Sequence, residues 1–256
     1  MSSLPPAVQQ WFESKGWTAR RHQLEMLQLA RRGRSALLVA ATGAGKTLAG
    51  FLPTICELAE LRSSVRPEPV EGLSSPPSGR KNAALRQAQG ERLEDVGLHT
   101  LYVSPLKALA VDVQRNLIAP IEEMGLPIRV ETRTGDTPSD RKARQRIKPP
   151  HVLLTTPESL SLLLSYPEAV AMFAGLKTIV VDELHGFAKE KRGDLLSLSM
   201  ARLQKLAPGL RRVGLSATIS DPDAYRSWLA PDADMELVDL VIGDPGAEPD
   251  LTILIP

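Results

Sequence analysis

Residues 37–47, LLVAATGAGKT, join an apolar strand to a glycine-bearing loop that ends where a helix begins. The backbone N–H groups of such a loop, with the positive end of the helix, form a concavity that suits a polyphosphate. Lys46 would reach the β and γ phosphates, and the Thr47 hydroxyl would hold Mg²⁺. The segment therefore predicts a nucleoside triphosphate as ligand, bound by Thr42, Gly43, Ala44, Gly45, Lys46 and Thr47.

This segment is a variant of the phosphate-loop pattern. The strict pattern requires a glycine at the position where this chain has Ala40. A glycine-rich turn from strand to helix that binds nothing is the alternative interpretation. A second set of residues further along the chain favours the nucleotide site.

That second set is the acid pair Asp182 and Glu183, which follows the β-branched run 179–181. An uninterrupted apolar run is typical of a strand buried on both faces of a parallel sheet. In phosphate-loop enzymes the acid at such a strand end positions Mg²⁺, the role expected of Asp182. Glu183 would orient and deprotonate the attacking water. An acid pair that only caps a helix is the alternative, which the phosphate loop in the same chain disfavours.

Length and composition are those of one compact unit. The chain has 256 residues, of which 43% are hydrophobic, enough to bury a sizeable core. Lysine and arginine together number 31 against 30 acidic residues, so the net charge of +1 neither favours nor excludes a polyanionic partner. Any basic surface that binds nucleic acid must therefore be local.

Cysteine and histidine usage excludes several kinds of site. The single cysteine, Cys56, rules out a disulfide or a cysteine zinc cluster within the chain. The four histidines share no metal-ligand spacing. No apolar run has the length of a membrane span, and the N-terminus lacks the segments of a signal peptide. We therefore expect no membrane partner and a reducing cytoplasm.

Short apolar runs alternate with longer helical patterns. The predicted strands are residues 36–40, 100–103, 128–131, 152–155, 178–182 and 212–215. The predicted helices are residues 20–31, 46–61, 108–124, 139–147, 158–164 and 193–206. This alternation predicts an α/β fold with a mostly parallel central sheet flanked by helices on both faces. Ligands of such folds bind at the carboxyl ends of the strands, where both motifs fall.

Residues 62–92 interrupt this alternation. The segment is rich in proline, serine, glycine and arginine and has no sustained apolar period. Because a structureless loop of this length is uncommon inside a compact domain, we predict a flexible surface insertion.

Further segments at predicted strand ends suit a nucleic-acid backbone. Residues 104–109, SPLKAL, and 155–159, TTPES, each place hydroxyl and free N–H groups where a phosphate could sit. Between them a turn at 133–137, RTGDT, precedes a basic segment at 141–148. Each alone is better explained by a helix cap or a solvated charged face, but their shared position at strand ends favours nucleic acid. Residues 216–218, SAT, would place two hydroxyls beside the acid pair.

In this order the segments resemble the first motor domain of superfamily 2 helicases. The order is Gln23, AATGAGKT, SPLKALA, RTGDT, TTPES, DELH and SAT. Within this superfamily the chain is most similar to the Lhr-like branch, which includes the ligase-associated DEXH-box helicases. The segments that carry this similarity are PLKALAVD, RTGDTPSDRKARQ, TTPESLSLLLS and GLSATI. The resemblance implies a RecA-like P-loop NTPase domain with ATP and Mg²⁺ as cofactors. It also implies an ATP-dependent DNA helicase with a role in DNA repair.

The resemblance implies roles for individual residues. Gln23 would hydrogen-bond the adenine, with Trp17 or Arg20 near it, and His185, Ser216 and Thr218 would link the nucleotide to the nucleic acid. The implied catalytic residues are Lys46, Asp182, Glu183 and His185, and the implied metal ligands are Thr47 and Asp182. The residues implied to contact nucleic acid are Pro105, Lys107, Arg133, Gly135, Thr156 and Pro157. Backbone contacts read no bases, so binding would be largely independent of sequence and sensitive to salt.

The resemblance divides the chain into an N-terminal helical region (1–34), a RecA-like ATP-binding domain (35–230) and a linker (231–256) toward a second RecA-like domain. That second domain supplies arginine fingers from a QxxGRxGR-type motif, which this sequence lacks. An arginine finger is worth on the order of 10³ to 10⁵ in rate. We therefore expect the chain alone to bind ATP, to hydrolyse it very slowly and not to unwind DNA.

The expected partners are DNA, either single-stranded or a duplex with a single-stranded end, the missing second domain, and a ligase or nuclease of DNA repair. The expected location is the cytoplasm, at the nucleoid. One alternative is an RNA helicase or double-stranded DNA translocase of the same superfamily. Another is a non-catalytic fragment that binds ATP or nucleic acid and regulates a partner.

Overall fold

The computed structural model describes residues 4–41, 43–63, 96–188, 190–217 and 219–244. The strands are β1 (Ser35–Val39), β2 (Thr100–Val103), β3 (Val130–Arg133), β4 (Val152–Thr155), β5 (Thr178–Val181), β6 (Arg211–Ser216) and β7 (Val238–Ile242). The α-helices are α1 (Pro6–Ser14), α2 (Arg21–Arg31), α3 (Lys46–Ser63), α4 (Lys107–Glu123), α5 (Ser139–Ile147), α6 (Pro157–Leu164), α7 (Ala169–Phe173), α8 (Lys191–Leu206) and α9 (Pro222–Leu229). No helix in these ranges is long and apolar enough to cross a membrane.

The strands form one seven-stranded sheet in the order β3-β4-β2-β5-β6-β1-β7, and every neighbouring pair is parallel. Parallel neighbours need crossover connections, which the helices supply. Alternate strand residues point to opposite faces of a sheet. Leu38 and Val180 accordingly pack in one core cluster, whereas Leu37 and Ile179 pack in the other. The predicted α/β fold with a parallel sheet is confirmed.

The elements that the sequence does not predict are short or lie at an edge. They are α7, α9 and β7; α1 lies within the N-terminal helical region (1–34), although the sequence predicts no range for it, and β3 begins at Val130 rather than at residue 128. β7, VDLVI, pairs only with β1, at the edge of the sheet. Two less buried residues separate its buried Val238 and Val241, so it lacks the continuous buried apolar run of an inner strand.

Two predicted segment boundaries differ from the structure. The backbone of α3 is helical through Ser63, and residues 64–92 of the predicted insertion lie outside the described residues. β7 falls within 231–256, the segment that the resemblance assigns to a linker, and it pairs with β1 along its whole length. The sheet therefore extends past residue 230, whereas residues 245–256 lie outside the described part.

The strand order divides the carboxyl edge of the sheet into two halves. The phosphate loop follows β1 and the acid pair follows β5, with β6 between them. The other half is formed by β2, β4 and β3, which precede the segments predicted to bind nucleic acid. Since neighbouring strands lie about 4.8 Å apart, β1 and β5 are about 10 Å apart, within reach of one shared ligand.

Candidate nucleotide and nucleic-acid sites

The phosphate loop connects β1 to α3. Gly43 and Gly45 have φ angles of 77° and 78°, a left-handed conformation that glycine adopts without strain. The Lys46 side chain turns back into the loop, where Nζ donates to the Ala40 carbonyl at 2.9 Å. Because Lys46 is only 9% exposed, its ammonium is held inside the loop. Loop N–H groups and one positive charge suit an anion. Thr42 lies outside the described residues.

Gln23 lies beside this loop, in the first turn of α2. Its side-chain oxygen accepts a hydrogen bond from the Arg20 backbone N–H at 2.9 Å. Its Nε2 lies 3.0 Å from where a Cβ on Gly45 would be, so a larger residue in the loop would press on it. A cavity of about 450 Å³ is lined by Trp17, Arg20, Gln23, Gly45 and Leu48, among others. The side chains that the resemblance implies for adenine binding therefore share one cavity next to the loop.

Asp182 directly follows β5, and two donors fix its carboxylate. The hydroxyl of buried Tyr102, on the adjacent β2, donates to Oδ2. The backbone N–H of Glu183 donates to Oδ1 at 2.9 Å. Burial and the neighbouring Asp182 carboxylate raise the pKa of Tyr102 well above its usual range, so this hydroxyl stays protonated. Carboxylate oxygens can accept more than one bond, so Asp182 is pre-oriented and still able to bind a cation.

Glu183 begins a 3₁₀ turn, Leu184–Gly186, in an uncommon backbone conformation. Its φ of 50° and ψ of 44° are left-handed, which is rare for a residue with a side chain. Glu183 Oε2 lies 3.3 Å from His185 Nε2. On the other side, His185 Nδ1 lies 3.0 Å from Ser216 Oγ at the end of β6. His185 therefore bridges the acid pair and the SAT segment, of which Thr218 lies outside the described residues.

β6 connects the phosphate loop to the acid pair. Ser216 pairs with Val39 at the end of β1, and its carbonyl accepts a hydrogen bond from the Ala40 N–H at 3.1 Å. On its other side, β6 pairs Gly214 with Val181, the residue before Asp182. The phosphate loop and the acid pair consequently lie at the same edge of the sheet, on opposite sides of β6. The structure thus brings together the two motifs that the sequence singles out.

Magnesium prefers oxygen ligands, and the sequence offers two at this edge. Thr47 is the second residue of α3, and Asp182 is 8% exposed after β5. Among the described residues, no group of three or more histidines, cysteines or acids could hold a metal by itself. Mg²⁺ commonly binds through one or two protein oxygens plus phosphate and water. The residues present therefore fit a magnesium ion that arrives with a nucleotide.

Three adjacent strand ends form the other half of the edge. Pro105, Gly135 and Thr156 follow β2, β3 and β4, in a sheet where β4 lies between β2 and β3. Gly135 is exposed in a turn that is closed by the Thr137 N–H and the Thr134 carbonyl at 3.2 Å. The segments predicted to bind nucleic acid therefore lie side by side, as expected from their positions after strands.

Arg133 does not belong to this surface. Its guanidinium donates to the Lys142 carbonyl at 2.8 Å and to Gln145 Oε1 at 3.3 Å, both in α5. Arg133 is only 2% exposed, and burial lowers the pKa of its guanidinium. This corrects the implied contact with nucleic acid, because the donors of Arg133 already hold α5 against β3.

Thr156 and Pro157 also have a local structural role. Pro157 occupies the first turn of α6, and Thr156 Oγ1 accepts a long hydrogen bond from the Ser159 N–H at 3.5 Å. The helix-cap interpretation therefore describes the Thr156 side chain. The side chain of Lys107 lies outside the described part of the chain.

Tyr102 is the site residue that sequence reasoning misses. The available signal is a hydroxyl in the middle of the otherwise buried apolar strand TLYV. A buried tyrosine hydroxyl usually finds a hydrogen-bond partner. Which partner it finds depends on the pairing of β2 with β5, which the chain order alone does not reveal.

Known proteins are similar to this chain in sequence. A family model described as DEAD/DEAH box helicase matches residues 20–226. The ATP-dependent helicase Lhr-Core of Methanothermobacter thermautotrophicus is 38% identical over 227 residues, covering 85% of this chain and 23% of that protein. The Lhr helicase/uracil glycosylase of Escherichia coli is 34% identical over 244 residues, covering 91% of this chain and 14% of that protein.

A solved structure is also similar. The Mycobacterium smegmatis helicase Lhr, bound to ssDNA and AMP-PNP, has a TM-score of 0.73 and 33% sequence identity. The match covers 95% of this chain and 28% of that chain. The chain spans less than a quarter of the length of the two curated relatives above.

Proposed function

Because the chain belongs to the DEAD/DEAH box helicase family, we propose that it is the ATP-binding motor domain of an Lhr-like, ATP-dependent DNA helicase. Joined to a second RecA-like domain, it couples ATP hydrolysis to movement along DNA and to strand separation. The observation that carries this proposal is the placement of the phosphate loop and the acid pair on either side of β6.

In this proposal the nucleotide occupies the half of the edge formed by β1, β6 and β5. Lys46 and the loop N–H groups bind the phosphates, and Gln23 faces the adenine. Thr47 and Asp182 would hold Mg²⁺, which would neutralise charge on the phosphates when bound. Glu183 takes a proton from the attacking water. His185 orients the Glu183 carboxylate, with His185 Nε2 3.3 Å from Glu183 Oε2. Support comes from the similar Mycobacterium smegmatis structure, which was solved with AMP-PNP.

DNA is assigned to the half formed by β2, β4 and β3. The proposed contacts to one strand's sugar-phosphate backbone are Pro105, Lys107, Gly135, Thr156 and Pro157. Support comes from the adjacency of their strands and from ssDNA in the structure of the similar helicase. Such contacts make binding largely independent of base sequence and weaker at high salt.

We further propose a DNA repair role at the nucleoid in the cytoplasm, with a ligase or nuclease as partner. The DNA that it binds is single-stranded or a duplex with a single-stranded end. The support is the resemblance of PLKALAVD, RTGDTPSDRKARQ and GLSATI to the branch that includes the ligase-associated helicases.

Hydrolysis by the chain joined to a second RecA-like domain that carries a QxxGRxGR-type motif tests the proposal. We expect single-stranded DNA to stimulate this protein more than RNA of the same length does. The unjoined chain should be slower by on the order of 10³ or more, because residues 1–256 contain no QxxGRxGR-type motif that would supply arginine fingers. Stronger stimulation by RNA would instead indicate an RNA helicase, and no turnover by the joined protein would indicate a non-catalytic module.

Glu183→Gln removes the proposed base but keeps the side-chain shape. In the joined protein we expect hydrolysis to fall by about 10² to 10⁴. Nucleotide affinity should stay within about twofold of wild type, because Lys46 and the loop N–H groups, rather than Glu183, are proposed to bind the phosphates. Glu190→Gln, an exposed acid before α8, is the matched control. Wild-type turnover by Glu183→Gln would exclude Glu183 as the base.

Tyr102→Phe removes the donor to Asp182 Oδ2 and keeps the ring in the core. With one of its two fixing donors gone, Asp182 can rotate away from Mg²⁺. We expect the Mg²⁺-dependent affinity for AMP-PNP to fall about tenfold, near 1.4 kcal/mol. A Mg²⁺ titration at fixed nucleotide measures it, with Tyr166→Phe as a control. An unchanged Mg²⁺ dependence would show that Tyr102 does not orient the ligand.

A further inference from the structure

We infer that His22 is a positioning residue that couples the phosphate loop to residues 242–244 at the end of β7, an inference that rests on the proposed nucleotide-binding function. His22 is the second residue of α2 and is fully buried, with 0% exposure. Its Nε2 lies 3.0 Å from the carbonyl oxygen of Ala44, in the phosphate loop. Its Nδ1 lies 3.4 Å from the backbone nitrogen of Asp244, just beyond β7.

The two backbone contacts define the hydrogen-bonding role of each ring nitrogen. A carbonyl oxygen can only accept, so Nε2 carries a proton and donates it to Ala44. In a neutral imidazole Nδ1 is then an acceptor, which suits the Asp244 N–H. The Asp244 carboxylate also lies near, with Oδ2 3.5 Å from Nδ1. One rigid ring therefore joins a loop carbonyl to the exit segment, defined here as residues 242–244.

The exit segment also packs directly on the start of the loop. The Gly243 N–H donates to the Val39 carbonyl at 2.8 Å. A Cβ on Gly243 would lie 2.3 Å from the Ala40 Cβ, so only glycine permits this approach. Arg21 donates from its guanidinium to the Ile242 carbonyl at 2.9 Å. The loop and the exit segment are therefore in contact at their backbones as well as through His22.

The first turn of α2 thus contacts the phosphate loop, the cavity beside it and the exit segment. Arg21 binds the exit segment, Gln23 lines the cavity beside Gly45, and His22 between them contacts both loop and exit segment. Peptide units are planar, so a nucleotide that reorients loop N–H groups also turns the carbonyls of the same units. When the Ala44 carbonyl moves, the His22 ring moves with it, because a buried donor that loses its acceptor is costly. The hydrogen bond from the Asp244 N–H to His22 Nδ1 then changes in length.

Hydrogen exchange of the chain, with and without AMP-PNP and Mg²⁺, tests the coupling. In the wild type we expect nucleotide to change the exchange rate of residues 238–244 at least about threefold. His22→Ala should weaken nucleotide binding about tenfold and, at saturating nucleotide, abolish the response of 238–244. His22→Gln retains a donor for Ala44, so we expect affinity close to wild type but still no response.

The variants separate positioning from a merely structural role. His22→Asn retains an acceptor toward Asp244 but is too short to reach Ala44, so its affinity should match that of His22→Ala. Should His22→Ala not fold, His22→Gln carries the test, since a wild-type exchange response in that variant overturns the coupling. Nucleotide binding by the wild type without any change at 238–244 overturns the inference and leaves the proposed function intact. Failure of the wild type to bind nucleotide overturns both.

Discussion

Lys46→Ala is expected to raise the dissociation constant for AMP-PNP about 100-fold, equivalent to about 3 kcal/mol. The Lys46 ammonium is the positive side-chain charge within the loop, and Nζ lies 2.9 Å from the Ala40 carbonyl. Being 9% exposed, it is already desolvated and ordered, so little is lost when it moves to a phosphate. Fluorescence anisotropy with a labelled ATP analogue and Mg²⁺ measures the change.

Lys15→Ala is the matched control for this variant. Lys15 lines a neighbouring cavity that also borders Gly45 and Thr47, and its charge is paired with Glu123 at 2.9 Å. We expect its affinity for AMP-PNP to stay within about twofold of wild type, because the ion pair is exposed and outside the loop. Equal losses in the two variants would point to overall charge rather than to a phosphate loop.

Glu57→Ala is expected to lower the free energy of unfolding by about 3 to 5 kcal/mol, which corresponds to a melting temperature roughly 10 °C lower. Arg211 donates to both carboxylate oxygens of Glu57, at 2.5 and 2.7 Å, and so ties α3 to the start of β6. The variant leaves this guanidinium, with 8% of its side chain exposed, bonded only to Thr178 and Ala30 among its described partners. Urea unfolding measures the loss.

Glu60→Ala, on the same helix, is the control because its pair with Arg31 at 2.6 Å is far more exposed. We expect it to cost less than about 1 kcal/mol. Equal costs for the two variants would contradict a special role of the buried pair.

The Glu57 pair also has a defined pH dependence. Burial favours the neutral acid, but hydrogen bonds with His99 and Arg211 outweigh it and lower the pKa of Glu57 from 4.5 to about 2. A carboxyl group with a lowered pKa in the folded state stabilises above its unfolded pKa, and this stabilisation is lost as pH falls toward the folded value. The stability difference between wild type and Glu57→Gln should shrink as the pH falls from about 4.5 toward 2. A difference that grew in that range would contradict the ion pair.

The inner strands of the sheet are predictable because they are buried on both faces. β2 and β4 match their predicted ranges, since continuous apolar runs between helical segments leave little choice. The edge strand β7 has an intermediate Asp239 and an exposed Ile242, so its pattern does not differ from that of a loop. The order of the strands is a property of tertiary packing that no local pattern encodes.

The phosphate loop and acid pair are predictable because their chemistry lies in local spacing. The contacts that support them are not, because they join residues distant in sequence. Tyr102 and Asp182 are separated by 80 positions and meet only because β2 pairs with β5. Arg133 shows the converse, since an arginine in a motif looks the same whether it faces solvent or, as here, the interior.

A crystal structure of the chain with AMP-PNP and Mg²⁺ tests the central claim most directly. The predicted result places the terminal phosphates between the Lys46 ammonium and the Asp182 carboxylate, with Mg²⁺ bound to the Thr47 hydroxyl. A nucleotide bound away from the loop that follows β1, or phosphates out of reach of Asp182, would contradict it.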